Sequence, residues 1–414
     1  MADGIDNSSR LWTRGFIGLI LTQFAGAFND NMLKGVLLVL VAAGNDWDGV
    51  LGSGGGTGWV SVMLTGPFIL FLGLAGQFAD RFSKRNMVLC VRLMELPIVI
   101  VIGLGLLFNA PWVALSGFIA LATKSAFFNP PKYGMIREVT GDGQLSRANG
   151  IMSLATNVSI IAGLAISGYL SEMGRGMVAC LLLGITTLGV TSAWSIPKLP
   201  AMNPGSAFRW NPFREVLHDL STMRGTPVWM VAWIYGWYFF AAILLISTIP
   251  NMQHVLEVSD SRTTLLLAAA GLGVGIGCAV AGLCSGKRIR TGFVRPGAAA
   301  TAVVYASMVI VPTTWWSMFI MLMLLGIGSG FFLVPLLAMT QRLSPPEERG
   351  RWLAAVNWLC YVLMSLAGVS YEFLQYLGAR FDGVFLVCSG VMAIVLVALF
   401  LRPRSLHFDE TAYS

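Results

Sequence analysis

Charge is scarce in this chain: Asp, Glu, Lys and Arg together make up 11% of its 414 residues, against 56% hydrophobic ones. A soluble domain carries about 25% charged residues, so this chain has too little polar surface to cover itself in water. Histidine is scarcer, with His218, His254 and His407 scattered along the sequence. The 6 cysteines (Cys90, Cys180, Cys278, Cys284, Cys360 and Cys388) all lie within or at the ends of apolar runs, and none forms a C-x-x-C pair. That pattern speaks against a disulfide framework and a thiolate metal site, and no cofactor is expected. An H-x4-D acyltransferase box is also lacking, because His254 and Asp260 stand one residue too far apart. No catalytic residue is assigned and the chain does not read as an enzyme. A cleavable signal peptide is not expected either, since Arg10 and Arg14 lead into an apolar run too long for one. The net charge of +7 does not point to nucleic acid, because the basic residues occur in short clusters between apolar runs.

What is present is apolar length. The mean hydropathy is +0.73, and the 47 glycines and 20 methionines suit helices packed closely in a bilayer. About 20 apolar residues cross a membrane as helix. Such runs lie near 14–41, 60–79, 87–108, 111–132, 149–170 and 176–196, then near 228–250, 263–284, 296–312, 315–340, 352–372 and 384–401. Of the 27 Lys and Arg residues, Lys34 and Lys124 fall inside the runs, and Arg175, Arg262 and Arg380 mark one set of loops. All the others, Arg92 among them, mark the termini and the opposite loops. The positive-inside rule then places both termini in the cytoplasm. The expected fold is all-α, an integral membrane protein of twelve transmembrane helices.

The chain also repeats itself. Ala126-Phe127-Phe128-Asn129-Pro130 is echoed by Gly330-Phe331-Phe332-Leu333-Val334-Pro335, and Gly163 by Gly368. Gly76-Gln77-Phe78-Ala79-Asp80-Arg81 is echoed by Gly282-Leu283-Cys284-Ser285-Gly286-Lys287. Two parallel six-helix halves resemble the major facilitator arrangement, which implies a substrate held near midplane. The expected division is 1–196 for the first half, 197–227 for a cytoplasmic linker and 228–414 for the second half. Within the linker, Asn211-Pro212 reads as an N-cap followed by proline at the first helical position. Phe213, Val216, Leu217, Leu220 and Met223 continue as one apolar stripe, so a short amphipathic helix is expected there.

Gly76-Gln77-Phe78-Ala79-Asp80-Arg81-Phe82-Ser83-Lys84-Arg85 resembles the superfamily signature G-x-x-x-D-R-x-G-R-K, with Ser83 at the second glycine. Gly76 would allow close helix packing, and Asp80 would accept from a helix N-terminus or an arginine. With Arg81, Lys84 and Arg85 this makes a candidate conformational latch; an ordinary basic cytoplasmic loop is the plainer reading. Phe24-Ala25-Gly26-Ala27-Phe28-Asn29-Asp30-Asn31, Met94-Glu95-Leu96-Pro97, Phe128-Asn129-Pro130-Pro131-Lys132-Tyr133-Gly134 and Asn211-Pro212-Phe213-Arg214-Glu215 together resemble the bacterial lysophospholipid transporter family. The resemblance implies a carrier in the bacterial inner membrane that moves lysophosphatidylethanolamine-like lipids to the cytoplasmic leaflet by alternating access, and gives Pro130, Lys132, Tyr133 and Gly134 a gating role. Its partners would be lysophospholipid or another amphiphile, membrane lipids, and a cytoplasmic acyltransferase acting on the product.

Charges inside spans are costly and face a bundle interior or an aqueous cavity. Four are expected, all in the first half: Asp30, Lys34, Glu95 and Lys124. Asp30 and Lys34 share a face of the first helix. At 1.5 Å per residue, Lys124 lies roughly 12 Å from Lys132 and Glu95 roughly 15 Å from Arg85, a similar depth. The second half offers instead an aromatic run, Trp229, Trp233, Tyr235, Trp237, Tyr238, Phe239 and Phe240. A head group near Asp30, Lys34, Lys124, Asn29 and Asn31, with its acyl chain toward the second half, fits that asymmetry. The same residues also suit two internal ion pairs, Asp30–Lys34 and Glu95–Lys124, with Glu95 structural or coupling. For the aromatics a core or interfacial role is the simpler reading, and Lys132 would snorkel to the head-group layer. Gly271-Leu272-Gly273-Val274-Gly275-Ile276-Gly277 lies inside an apolar run with no strand before it, so it reads as a helix-packing surface. A proton-coupled carrier of a soluble compound, such as a drug or siderophore, is the alternative reading of the chain.

Overall fold

The computed structural model describes residues 11–52, 56–140, 145–199, 211–285, 291–345 and 349–401. Signals at Arg10, Gly286, Lys287, Arg288, Arg290, Arg402, Arg404 and His407 lie outside the described residues, as does most of the linker before Asn211. The helices are α1 (Arg14–Val41), α2 (Thr57–Arg81), α3 (Lys84–Leu107), α4 (Pro111–Thr140), α5 (Leu145–Met173), α6 (Arg175–Trp194) and α7 (Pro212–Thr222). They continue with α8 (Pro227–Asn251), α9 (Gln253–Leu256), α10 (Asp260–Ser285), α11 (Val294–Ile310), α12 (Trp315–Leu343), α13 (Arg349–Tyr376) and α14 (Phe381–Leu401). Among the described residues 12 of them are long and apolar enough to cross a membrane. The chain is therefore an all-α, multi-pass membrane protein.

Helix ends follow local chemistry. Asn109 (φ 50°) and Gly174 (φ 103°) take left-handed or extended positive conformations that close α3 and open α6. Gly225 (φ 83°), Thr226 and Pro227 start α8, with proline at a first-turn position where its missing N–H costs nothing. Thr314 caps α12 reciprocally: its Oγ1 accepts from the Ser317 amide at 3.2 Å, and Ser317 Oγ accepts from the Thr314 amide at 3.0 Å. Several helices outrun the apolar runs, α4 by a full two turns to Thr140 and α13 to Tyr376. The hydrophobic run ends where the bilayer would end; the helix ends only where backbone bonds or caps stop it.

The chain forms two compact units. One comprises the described residues of Met1–Val36 and Pro67–Pro212; the other comprises those of Leu37–Gly66 and Phe213–Ser414. In the first, α3 packs along α4 and α6. Its apolar core gathers Phe16, Leu19, Val88, Val91, Phe128, Met135, Ile136 and Met152. Gly163 of α5 approaches α1 closely, because a Cβ there would stand 2.7 Å from the Phe28 carbonyl oxygen.

In the second unit, α10 packs along α12, α8 along α13, and α11 along α14 and α12. The α10–α12 seam is a glycine contact, as the glycine run leads one to expect. A Cβ on Gly273 would lie 2.5 Å from the Met323 carbonyl oxygen, and one on Gly330 would lie 2.6 Å from Gly277 Cα. Gly275 has open space around it. The amphipathic α7 is present: Met223 and Leu220 are buried, Phe213 meets Trp358 edge-on at 6.3 Å, and the buried Asp219 pairs with Arg351 of α13. Leu217, placed on the same stripe by periodicity, is exposed.

Overpacking a close helix contact costs about 1–3 kcal/mol. Gly326→Leu and Gly330→Leu are each expected to lower the thermal unfolding midpoint in detergent. Gly275→Ala, which has room and removes a helix glycine, is expected to leave it unchanged or raise it slightly.

Candidate functional site

The first unit holds a chain of buried charges. Glu95 is 0% and Arg92 1% exposed, and Arg92 Nη1 lies 2.5 Å from Glu95 Oε2, one helical turn away on α3. Lys124 Nζ of α4 stands 3.2 Å from the same Glu95 oxygen and 3.6 Å from Asp30 Oδ1 of α1. Ser125 Oγ donates to the other Asp30 oxygen at 2.5 Å. Two anions and two cations therefore alternate as Arg92–Glu95–Lys124–Asp30, a sequence that sums to zero. Neutrality is what makes the arrangement tolerable, because an isolated ion in a low-dielectric interior carries a large solvation penalty.

Arg92 is tied to more than its carboxylate. Its Nη2 donates to the Thr22 carbonyl oxygen of α1, and its guanidinium lies over the Phe128 ring at 4.6 Å. Gly26 of α1 and Gly189 of α6 leave the room it occupies: a Cβ on Gly26 would fall 2.8 Å from Nη1, and one on Gly189 3.6 Å. The sequence reading assigned Arg92 to a basic loop. The structure corrects this, since Arg92 sits eight residues inside α3 and is enclosed by four helices. Its i,i+3 spacing to Glu95 was the available signal.

The pairing also differs in detail from the simplest expectation. Asp30 pairs with Lys124 and Ser125, not with Lys34. Lys34 is 6% exposed and has no hydrogen-bond or ion-pair partner among the described residues. Asn29 is fully buried and its Nδ2 is spent on Thr186 Oγ1 (2.9 Å), the Leu182 carbonyl (3.2 Å) and Glu95 Oε1 (3.4 Å), which ties α1 to α3 and α6. Asn31 donates to the Ala27 carbonyl of its own helix at 2.8 Å. On α1, Ile20, Phe24, Ala27, Asp30 and Asn31 remain partly accessible at helical spacing. Asp30 thus joins the charge chain to an accessible stripe.

The second unit is not free of charge inside its helices. Glu372 lies within α13, and its Oε1 accepts from the Gly58 amide at 2.8 Å and the Trp59 amide at 3.4 Å, at the start of α2. The sequence reading stopped its eleventh span at that residue and left Glu372 out of account. The aromatics of α8 pack edge-to-face along the helix, with Tyr235 on Phe239 at 5.0 Å and Trp237 on Phe240 at 5.1 Å. Tyr238 is buried on Phe332 at 5.6 Å. Phe128 and Phe332, matched by the repeat, therefore do different work: one carries an arginine, the other a tyrosine.

In the α2–α3 turn, Lys84 pairs with Glu138 of α4, and Ser83 Oγ donates to the Leu199 carbonyl at 2.6 Å. Glu138 was not anticipated, because it lies beyond the apolar run that ends at Lys132. Arg81 ends α2 half-buried, and Arg85 Nη1 reaches Asn86 at 3.4 Å. No described atom comes within 4 Å of a Cβ on Gly76, so the expected close packing there is not seen. Asp80, Tyr133 and Gly134 are helical in backbone, and their surroundings lie outside the described residues. Lys132 does not snorkel: it is buried, and α4 runs on for eight residues, about 12 Å, past it. Pro130 and Pro131 lie inside that helix.

The sequence profile described as Major Facilitator Superfamily matches residues 19–369 and 296–411. A protein of Klebsiella pneumoniae named lysophospholipid transporter LplT is 25% identical over 98% of this chain and 100% of its own. One of Cronobacter sakazakii with the same name is 27% identical over 98% of this chain and 100% of its own. Among solved structures, a POT family transporter in complex with a thioalcohol-conjugated peptide superposes with a TM-score of 0.75, covering 95% of this chain and 97% of that one at 12% identity. The nucleoside transporter NupG gives 0.67 over 92% and 99% at 13% identity. At those identities the structural likeness speaks for the fold alone.

Removing one partner of a buried ion pair costs about 3–5 kcal/mol. Arg92→Leu is expected to lose that much stability, and Arg92→Lys to recover little of it, because an ammonium cannot serve Thr22, Glu95 and the Phe128 face together. The double variant Arg92→Leu/Glu95→Leu still leaves Lys124 with Asp30 and should be more stable than Arg92→Leu. Thermal unfolding of the detergent-solubilised variants reads all three.

Proposed function

Because the chain belongs to the Major Facilitator Superfamily, we propose that it is a transporter, moving a lysophospholipid across the bacterial inner membrane to the cytoplasmic leaflet by alternating access. One observation carries the substrate class. Proteins named lysophospholipid transporter match this chain at 25–27% identity over 98% of its length and 100% of their own. The motifs around Asn29-Asp30, Glu95 and Pro130 support the same reading, as does the asymmetry of charge. The positive-inside distribution supports cytoplasmic termini, with the Lys84–Glu138 pair on the cytoplasmic side. The chain itself acts as a carrier and not as an enzyme; a cytoplasmic acyltransferase is the proposed consumer of its product.

The head group is proposed to meet Lys34 and the Asp30–Lys124 end of the charge chain. Since the four-charge chain is already neutral, Lys34, buried beside it on α1, is a cation able to attract a phosphate. Tyr133 and Gly134, with Pro130 and Lys132, are proposed to work as a hinge in α4, and Asp80 and Arg81 as part of the α2–α3 latch.

Reconstituted into liposomes, the protein is expected to move labelled lysophosphatidylethanolamine between leaflets. Lys34→Met should fold as well as the parent, because no partner is stranded. It should slow that movement by about ten- to a hundredfold, the loss of one charge-assisted contact worth ~1.5–3 kcal/mol. Undiminished movement would sink the head-group assignment. No lipid movement in the parent protein, with gradient-driven transport of a soluble compound instead, would overturn the substrate class.

A further inference from the structure

Glu372 is used by nothing in the proposed substrate site, yet it holds a specific place. The segment Leu37–Gly66 belongs to the same compact unit as α8 and α13, so the first half of α2 is packed there while its second half belongs to the other unit. The changeover falls at Gly66–Pro67. Pro67 has no N–H to return to the Met63 carbonyl, and a Cβ on Gly66 would meet nothing within 4 Å. A missing backbone bond beside a glycine in open space is where a helix bends most readily.

What holds Thr57–Gly66 in place is small and polar. Gly58 and Gly368 approach so closely that a Cβ on Gly368 would lie 2.6 Å from the Gly58 carbonyl oxygen. Thr57, Ser61 and Thr65, one per turn, form a hydroxyl stripe. Thr57 Oγ1 donates to the Ser247 carbonyl at 2.6 Å, Ser61 Oγ lies 3.4 Å from Ser247 Oγ, and Thr65 Oγ1 lies 2.5 Å from Ser365 Oγ. Asn251 reinforces the end, donating to Thr57 Oγ1 at 3.1 Å and to the Tyr371 hydroxyl at 2.7 Å. Such a contact separates at low cost. Thr65 Oγ1 already donates to the Ser61 carbonyl of its own helix at 2.9 Å, and a serine or threonine in a helix can always fall back on that acceptor. The Glu372 carboxylate is the exception, being the one charged member of the contact among the described residues.

We propose that Glu372 is a proton-binding latch: ionised, it holds the start of α2 on α13, and on taking up a proton it releases Thr57–Gly66 to swing about Gly66–Pro67. The charge is what gives the latch its strength. The Gly58 and Trp59 amides belong to the first turn of α2, where N–H groups have no partner within the helix, and the helix dipole places partial positive charge there. A carboxylate accepting both is charge-assisted and about twice as strong as its neutral counterpart. A proton on the carboxyl group removes that assistance. Around Glu372 the polar groups are few. The start of α2 contributes the Gly58 and Trp59 amides, and Tyr371 on α13 itself is the titratable neighbour; Ser247 and Asn251 of α8 meet Thr57 and Tyr371 instead, and no cation among the described residues acts on Glu372. The latch gives the alternating access proposed above a coupling ion, and rests on that reading only for this consequence.

Amide exchange tests the latch without any substrate, and so separately from the transport reading. In the full-length protein in detergent, exchange at Gly58 and Trp59 is followed by mass spectrometry at about pH 8 and pH 5, with rates corrected for intrinsic pH dependence. Protection of these two amides is expected to fall on acidification by up to about tenfold per pH unit, the limit for one linked proton. Amides within α11 should hold theirs. Glu372→Gln, which keeps the shape and loses the charge, should show the acid level of protection at both pH values. Protection in the parent protein that does not change with pH, or full protection in Glu372→Gln, overturns the proposal. The parent comparison needs no variant, so the question is answered even if Glu372→Gln does not fold.

Discussion

One arginine, one lysine and two carboxylates, mostly buried in one unit with only Asp30 partly accessible, set the terms for everything packed around them. Arg92, Glu95, Lys124 and Asp30 are mutually neutralising and come from three helices: α3 supplies two, α4 one and α1 one. Coulomb attraction at 3–4 Å is strong in a poorly polarisable interior, but it serves mainly to offset desolvation. The net gain is geometric. α1, α3, α4 and α6 are held in one register because Arg92 must find Thr22, Phe128 and the spaces at Gly26 and Gly189 together, while Asn29 must find Thr186 and Leu182. A core of leucines would tolerate small slides; this one does not.

The second unit solves its packing by other means. Its tightest seam, α10 on α12, is glycine against glycine, with backbone touching backbone and no charge involved. Phe332 stands where the repeat places Phe128, but the α11 residue pressed against it is Gly297, whose Cβ would fall 2.7 Å from the Phe332 amide nitrogen. The two halves of the sequence thus share a fold while differing in what fixes it: ionic register in one, close backbone contact in the other. An interior fixed by apolar contact can accept the first part of α2 through hydroxyls and one carboxylate, because its own integrity does not depend on them.

Most of the fold was legible in the sequence. Twelve long apolar runs, loop charges of one sign and a half-chain echo leave few alternatives, and α7 was readable from Asn211-Pro212 and its stripe. Helix lengths were not, because hydropathy reports the bilayer and not the hydrogen-bond ladder; Glu138 and the true setting of Lys132 were lost to that. Asp30, Glu95 and Lys124 were found because a charge in an apolar run is conspicuous. Arg92 was missed because it stands near Lys84 and Arg85, and proximity in sequence made it look like one more loop cation. Glu372 was missed because it sits near a helix end, where a carboxylate ordinarily meets water. The fate of Lys34 could not be foreseen: the i,i+4 spacing permits a pair with Asp30, but Lys124 and Ser125 reach that carboxylate from another helix.

The two adjacent prolines of α4 carry a consequence of their own. Without amide hydrogens at Pro130 and Pro131, the carbonyls of Ala126 and Phe127 have no intrahelical donor, so two rungs are absent from the ladder about one turn below Lys124. A rod weakened at one level transmits push and pull along its length poorly but turns freely at that level. The two missing rungs lie between the segment carrying Lys124, held on Glu95, and the segment carrying Glu138, paired with Lys84. Compliance placed at one level of a helix lets an ionic register at one end stay rigid while the other end bends.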